Sequence, residues 1–136
     1  MTDIEGAIAA AASGMHAQTV RMRIAAENIA NADSTATTPG GEPFRRRIPL
    51  LESTTLSSGA EGVKVTGAAR DMTAFRREYN PSHPAAGPDG YVTMPNVDPL
   101  VEMMDIRDAS RAYEANLNMI DAARSMSSHA LDLLRK

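Results

Sequence analysis

Residues 98–136 read DPLVEMMDIRDASRAYEANLNMIDAARSMSSHALDLLRK, and beyond Pro99 they hold neither glycine nor proline. Asp98 is suited to cap a helix, since its carboxylate can accept from amides that lack an intrahelical partner, and Pro99 fits the first helical position. Asp98, Glu102 and Asp105 place negative charge at the positive end of the helix dipole, and Arg135 and Lys136 place positive charge at the other. Ile106, Tyr113, Ile120 and Leu134, interrupted by Ser127, form one apolar row beside Met103, Leu117 and Leu131. Asp108/Arg111, Arg111/Glu114 and Asp121/Arg124 stand at a spacing that pairs charges on a helix surface. The pattern predicts a helix from Pro99 to Leu134, about 54 Å long.

Working outward, the breakers divide the rest of the chain. Seven of nine glycines and seven of eight prolines lie between Asp33 and Val97. Residues 1–32 carry a seven-residue stripe, Ile8, Met15, Met22 and Ile29 beside Ile4, Ala11, Gln18 and Ala25, the spacing of a coiled-coil seam. Ten of those 32 residues are alanine, which favours helix and lets backbones approach closely. A second helix, about 45 Å long, is expected there. The chain thus reads as helix (1–32), irregular middle (33–97) and helix (98–136). In the middle, Phe44–Leu51, Gly62–Thr66, Phe75–Tyr79 and Tyr91–Met94 have strand character, with Pro49 confining the first to a sheet edge. Three prolines between Asn80 and Pro88 suggest an extended run. The expected fold is mainly α: long N- and C-terminal helices in a coiled-coil-like pair, with a small β-rich insert.

Composition sharpens this. Of 136 residues, 23 are Ala and 9 Met, whereas Leu, Ile, Val and Phe together number 23, few for a self-sufficient core. A globule of this length is only about 37 Å across, so both helices would overhang it. Positions such as Ile24, Val101, Met119 and Met126 would then face outward, the layout of a subunit whose core is completed by other chains.

Other classes find little support. No apolar run approaches the ~20 residues of a membrane span, and Asp3 and Glu5 stand where a cleaved secretory signal would be basic. Zero Cys excludes thiol catalysis and zinc fingers. His16, His83 and His129 lie far apart without a second metal ligand at suitable spacing, and no acid, base and nucleophile set points to a hydrolase. Arg45-Arg46-Arg47 reads as a solvated edge, and a net charge of −3 offers no field for nucleic acid. A soluble helical-hairpin binding or adaptor module of a secretion apparatus is the alternative to a polymerising subunit.

Several blocks carry a resemblance. Ser13-Gly14-Met15, Arg21-Met22 and Asn28-Ile29-Ala30-Asn31-Ala32-Asp33 resemble the N-terminal signature of bacterial flagellar rod and hook proteins. Thr38-Pro39-Gly40-Gly41, Tyr79-Asn80-Pro81-Ser82-His83-Pro84, Pro95-Asn96-Val97 and Ala109-Ser110-Arg111-Ala112-Tyr113-Glu114-Ala115-Asn116 narrow it to the proximal-rod members. The resemblance spans residues 4 to 134. It implies a structural subunit of the periplasm-spanning rod that carries torque to the hook and encloses the export channel. It implies no enzymatic activity, no cofactor and no membrane insertion. Implied partners are the chain itself, rod subunits of the FlgB, FlgF and FlgG types, the rod-to-MS-ring adaptor FliE, and the flagellar type III export apparatus, which passes such subunits without a cleaved signal. The residues expected to pack between subunits are Ile4, Ile8, Met15, Met22, Ile29, Met103, Ile106, Tyr113, Leu117, Ile120, Leu131 and Leu134. Phe44 and Ile48 have the spacing of the family's export motif.

Overall fold

The computed structural model describes residues 2–136, with side chains from Asp3 onward. It consists of α1 (Thr2–Ala30), β1 (Arg47–Thr55), β2 (Glu61–Arg70), β3 (Arg76–Tyr79), β4 (Tyr91–Met94) and α2 (Pro99–Leu134). The cap of α2 is as its sequence dictates: the Asp98 carboxylate accepts from Leu100 N at 3.0 Å, and Pro99 occupies the first turn. The helices run antiparallel, because Asn28 near the end of α1 bonds Glu102 in the first turn of α2, while Gly14 lies against Asn116.

The seam between the helices is built from small residues. Ala109 and Ala123 of α2 are buried with Glu102 and Ile120, and the buried residues of α1, Ala11, Ala17, Val20, Ile24, Ala25 and Asn28, are covered by α2 and the β1–β2 hairpin between them. This corrects two expectations. Ile24 does not face outward: it is buried, at 4 % exposure. The row beside Ile106, Tyr113 and Ile120 is Glu102, Ala109, Asn116 and Ala123, whereas Met103, Leu117 and Leu131 are exposed. Close approach of backbones selects the alanine row, because long side chains would hold the axes apart. Ile4, Ile8, Met15, Met22 and Ile29 are half-buried on the flank of α1. The three expected charge pairs on α2 do not form ion pairs among the described residues.

Two antiparallel hairpins make up the middle. β1 and β2 are longer than the sequence suggested. They turn through Leu56–Ala60, where Gly59 takes a positive φ, and they carry a bulge at Leu50/Leu51. Pro49 costs no ladder bond that matters, since both strands of a two-stranded sheet are edges. The hairpin lies along α1, with the Ser13 hydroxyl accepting from Val63 N at 3.1 Å. β3 and β4 enclose a small core of Ala85, Val92 and Met94 with Ala36 and Ala86. Residues 80–88 are not extended. His83 N donates to Asn80 O, Ala86 N donates to His83 O, and the His83 ring accepts from Ala85 N, folding the segment into consecutive turns.

A Cβ on Gly14 would lie 2.7 Å from Asn116 Nδ2, so the seam tests directly by a double-mutant cycle. Gly14→Ala gains up to about 1 kcal/mol of helix propensity but meets the Asn116 amide. In an Asn116→Ala background the same change should be more favourable by about 1 kcal/mol, read from urea denaturation followed by helical circular dichroism. Equal effects in both backgrounds would place the helices farther apart.

Candidate assembly surface

The functional geometry begins with one buried carboxylate. Glu102 is 1 % exposed, and an ionised group so placed is tolerated only when fully paired. One carboxylate oxygen accepts from Asn28 Nδ2 at 3.2 Å, and the other accepts from Arg46 Nε. Asn28 is itself fixed by the backbone of Arg47: its amide nitrogen donates to Arg47 O at 2.9 Å and its oxygen accepts from Arg47 N at 3.0 Å. Arg46 spreads its remaining nitrogens to Asp71 and Asp105, each at 3.3 Å.

Asn96 completes the cluster. Its oxygen accepts from Arg46 N at 2.7 Å, and its amide donates to the carbonyls of Asp71 and Thr73 at 2.9 and 3.2 Å. The end of α1, the approach to β1, the segment after β2 and the start of α2 thus meet around the Arg46–Glu102 pair. Burial alone would lower the affinity of Arg46 for its proton, but the hydrogen bond and charge of Glu102, with Asp71 and Asp105, outweigh it and raise the value. The Asp71 carboxyl is held below the usual carboxylate range, first by hydrogen bonds from the Thr73 backbone and side chain and then by Arg46.

The arginine triplet is therefore no uniform solvated edge. Arg46 turns inward, while Arg45 stacks on the Phe75 ring at 4.1 Å and binds Glu42. Arg47 faces outward. Of the signature residues, Asn28 and Asn96 belong to the clamp, Pro95 and Val97 are buried beside it, and Asn116 packs on Gly14. Asn31 donates to Glu27 O, Tyr113 is half-buried, and Arg111 and Glu114 are exposed. Phe44 is half-buried and Ile48 lies exposed on β1.

With the seam phased in this way, the bulky residues of α2 become its flanks. Met103, Leu117 and Leu131 follow the alanine row by one residue, and Met119, Met126 and Leu133 precede the Ile106 row by one, each about 100° around the helix. Two apolar shoulders thus flank the seam, with Leu134 exposed at their far end. No group of three metal-binding side chains occurs among the described residues. His83 is occupied with Ala85 N and the Thr35 hydroxyl.

Comparison with known proteins assigns this chain to a family. Residues 89–133 match the family model described as flagellar basal body rod FlgEFG protein C-terminal. The chain is 44% identical over 136 residues to the flagellar basal-body rod protein FlgC of Agrobacterium fabrum, covering 99% of this chain and 98% of that one. The chain belongs to the FlgC family of flagellar basal-body rod proteins. The FlgC proteins of Bacillus subtilis and Salmonella typhimurium are each 38% identical to it, over 90% of this chain and 92% of theirs. A FlgC-family chain is a structural subunit of the basal-body rod, in a family not known as enzymes. No described helix is long and apolar enough to cross a membrane.

The clamp yields two tests. Arg46→Ala leaves Glu102 buried without its cation and should cost about 3–5 kcal/mol, whereas replacing Arg46 and Glu102 together by Met should cost much less. Chemical denaturation of the purified chain measures both. Because the Asp71 carboxyl is depressed in the fold, its contribution is complete above the unfolded value of about 3.9 and is lost as pH falls through the folded value. Asp71→Asn should therefore flatten the fall in urea midpoint below about pH 4 while leaving its slope near neutrality unchanged.

Proposed function

We propose that the chain is a subunit of the proximal rod, its two helices lying in a coiled-coil inner layer and its β-hairpins outside. Polymerised, it would carry motor torque to the hook and line the export channel. The observation that carries this reading is the imbalance of α2: four of its 36 residues are buried, while ten large apolar residues are exposed. Covering those ten is worth about 1 kcal/mol each, on the order of 10 kcal/mol per subunit, similar to the 4–15 kcal/mol cost of immobilising a partner. A single shoulder contact falls short of that cost, so the subunit is held by several neighbours at once.

Those neighbours are further copies and rod subunits of the FlgB, FlgF and FlgG types, with FliE at the MS-ring end. The chain reaches the rod across the periplasm through the flagellar type III apparatus, and Phe44 with Ile48 is the candidate export motif, read before the chain folds. Torque passes through many parallel helix contacts, so no single residue is catalytic.

The test is complementation of a strain lacking the gene, which should form no complete rod. Met103→Asp, Leu117→Asp and Leu131→Asp should each abolish motility while the purified variants keep wild-type helicity and melting. Ile120→Asp, which buries an unpaired charge in the seam, should lose several kcal/mol of stability, with Ile106→Asp behaving similarly. Normal swimming by all three shoulder variants, or an intact rod in the deletion strain, would contradict the proposal.

A further inference from the structure

Every methionine of α2 lies on its outer surface. Met103, Met104, Met119 and Met126 are between 59 and 62 % exposed, while Ala109, Ile120 and Ala123 are the apolar residues that the helix buries. The helix itself gives the last two little cover. One turn to either side, Met119 is bordered by Ala115, Asn116, Ala122 and Ala123, and Met126 by Ala122, Ala123, His129 and Ala130, the positions that neighbour a residue on a helix surface. Alanine is too short to shield a thioether, so both side chains stand clear of their own helix. Methionine is placed differently elsewhere in the chain. Met94 is buried in the β3–β4 core, and Met15 and Met22 are half-buried on α1. Met72, in the segment before β3, is the one other exposed methionine among the described residues.

Exposure matters because the chain holds no cysteine that would take up an oxidant first, which leaves the open thioethers as its sulfur nucleophiles. A two-electron oxidant of the peroxide class reacts directly at such a sulfur. The sulfur lone pair attacks one peroxide oxygen, the O–O bond breaks and an S–O bond forms, and the second oxygen leaves as water with both peroxide protons. Sulfur loses two electrons and the peroxide gains them. The product, methionine sulfoxide, replaces a flexible apolar side chain by a polar one. A dithiol-dependent reductase returns two electrons and two protons, releases the oxygen as water and restores the thioether, its own thiols closing to a disulfide.

In the free subunit a sulfoxide at these positions is hydrated and leaves the fold undisturbed, since none of the four side chains is buried. Pressed against the apolar side chains of a neighbour, the same oxygen loses its water without gaining a donor, which is unfavourable. Four of the ten large apolar residues that α2 exposes are methionines, so a single oxidant acts on much of the surface the helix presents. We propose that Met103, Met104, Met119 and Met126 form a reversible oxidation site that controls entry of the free subunit into the assembly. Reduced chains are incorporated, and chains bearing sulfoxides are excluded until they are repaired. The inference rests on the rod reading and adds a chemical control over which subunits enter. Once the shoulders are covered the sulfurs are out of the oxidant's reach, so an incorporated subunit keeps its thioethers.

Purified full-length chain is treated with dilute hydrogen peroxide, and oxidation at each methionine is followed by mass spectrometry of its peptides. The four α2 methionines should react at least about tenfold faster than buried Met94, with helical circular dichroism unchanged. In a strain lacking the gene, rods formed during a brief peroxide exposure are counted by electron microscopy. With the wild-type gene the count should fall at least about fivefold. A chain carrying Met103→Leu, Met104→Leu, Met119→Leu and Met126→Leu keeps the surface apolar without an oxidisable sulfur and should retain its rods. Met72→Leu alone should give no protection. Without peroxide, Met103→Gln, Met104→Gln, Met119→Gln and Met126→Gln in one chain, polar but equally good helix formers, should reproduce the loss while the purified variant keeps wild-type helicity. Equal loss of rods by the wild-type and four-leucine chains would overturn the proposal. So would normal rods from the four-glutamine chain, protection by Met72→Leu alone, or α2 methionines that react no faster than Met94. The rod reading fails separately, if the wild-type gene restores no rods in the absence of peroxide.

Discussion

The ion pair between Glu102 and Arg46 is the constraint on which the arrangement depends. A carboxylate in the first turn of α2 is removed from water, and only Arg46 and Asn28 compensate it. Because these partners come from the start of β1 and the end of α1, satisfying one charge fixes the rotation of α2 about its axis. That rotation sends Ala109 and Ala123 into the seam and leaves Met103, Leu117, Met119 and Met126 on the shoulders. A buried ion pair adds little net stability compared with an apolar substitute. Its value here is that it selects one phase of a helix whose hydrophobic pattern would admit another.

The same choice explains how a chain poor in bulky apolar residues folds and still associates. Alanine and glycine in the seam bring the backbones close, giving extensive contact from little side-chain volume, as where Gly14 meets Asn116. The larger side chains are thereby held back for partners. The small second core of Ala85, Val92 and Met94 fixes the β3–β4 hairpin without drawing on α2. Trimming a single shoulder side chain takes a small share of the assembly energy, whereas a charge placed there must be buried unpaired, and removal of the clamp changes the phase of the whole surface.

Much of the fold was legible because its signals are local. The start of α2 follows from Asp98 and Pro99, and β4 from the strand character of Tyr91–Met94. The phase of the seam was not legible: hydropathy favours Met103 over its neighbour Glu102, and the partner that reverses this, Arg46, is 56 residues away in sequence. Arg46 also looks no different from Arg45 and Arg47 in the sequence, since only the fold brings Asp71, Glu102 and Asp105 around it. The prolines of residues 80–88 suggested an extended run, but backbone bonds at Asn80 and His83 bend it into turns. Of the candidate site, the residue types and the helix that bears them were readable, and Asn28 and Asn96 were marked by the family resemblance. Their role in the clamp required the tertiary contacts.

The central claim is that the shoulders of α2 are open in the free subunit and covered in the rod. Since the chain lacks cysteine, a Leu117→Cys chain reports this position alone, and its alkylation rate can be measured in the purified subunit and in isolated basal bodies. The account predicts rapid reaction in the free subunit and at least about tenfold protection in the rod, as expected for a site buried in a helix interface. Equal rates in the two states would contradict it.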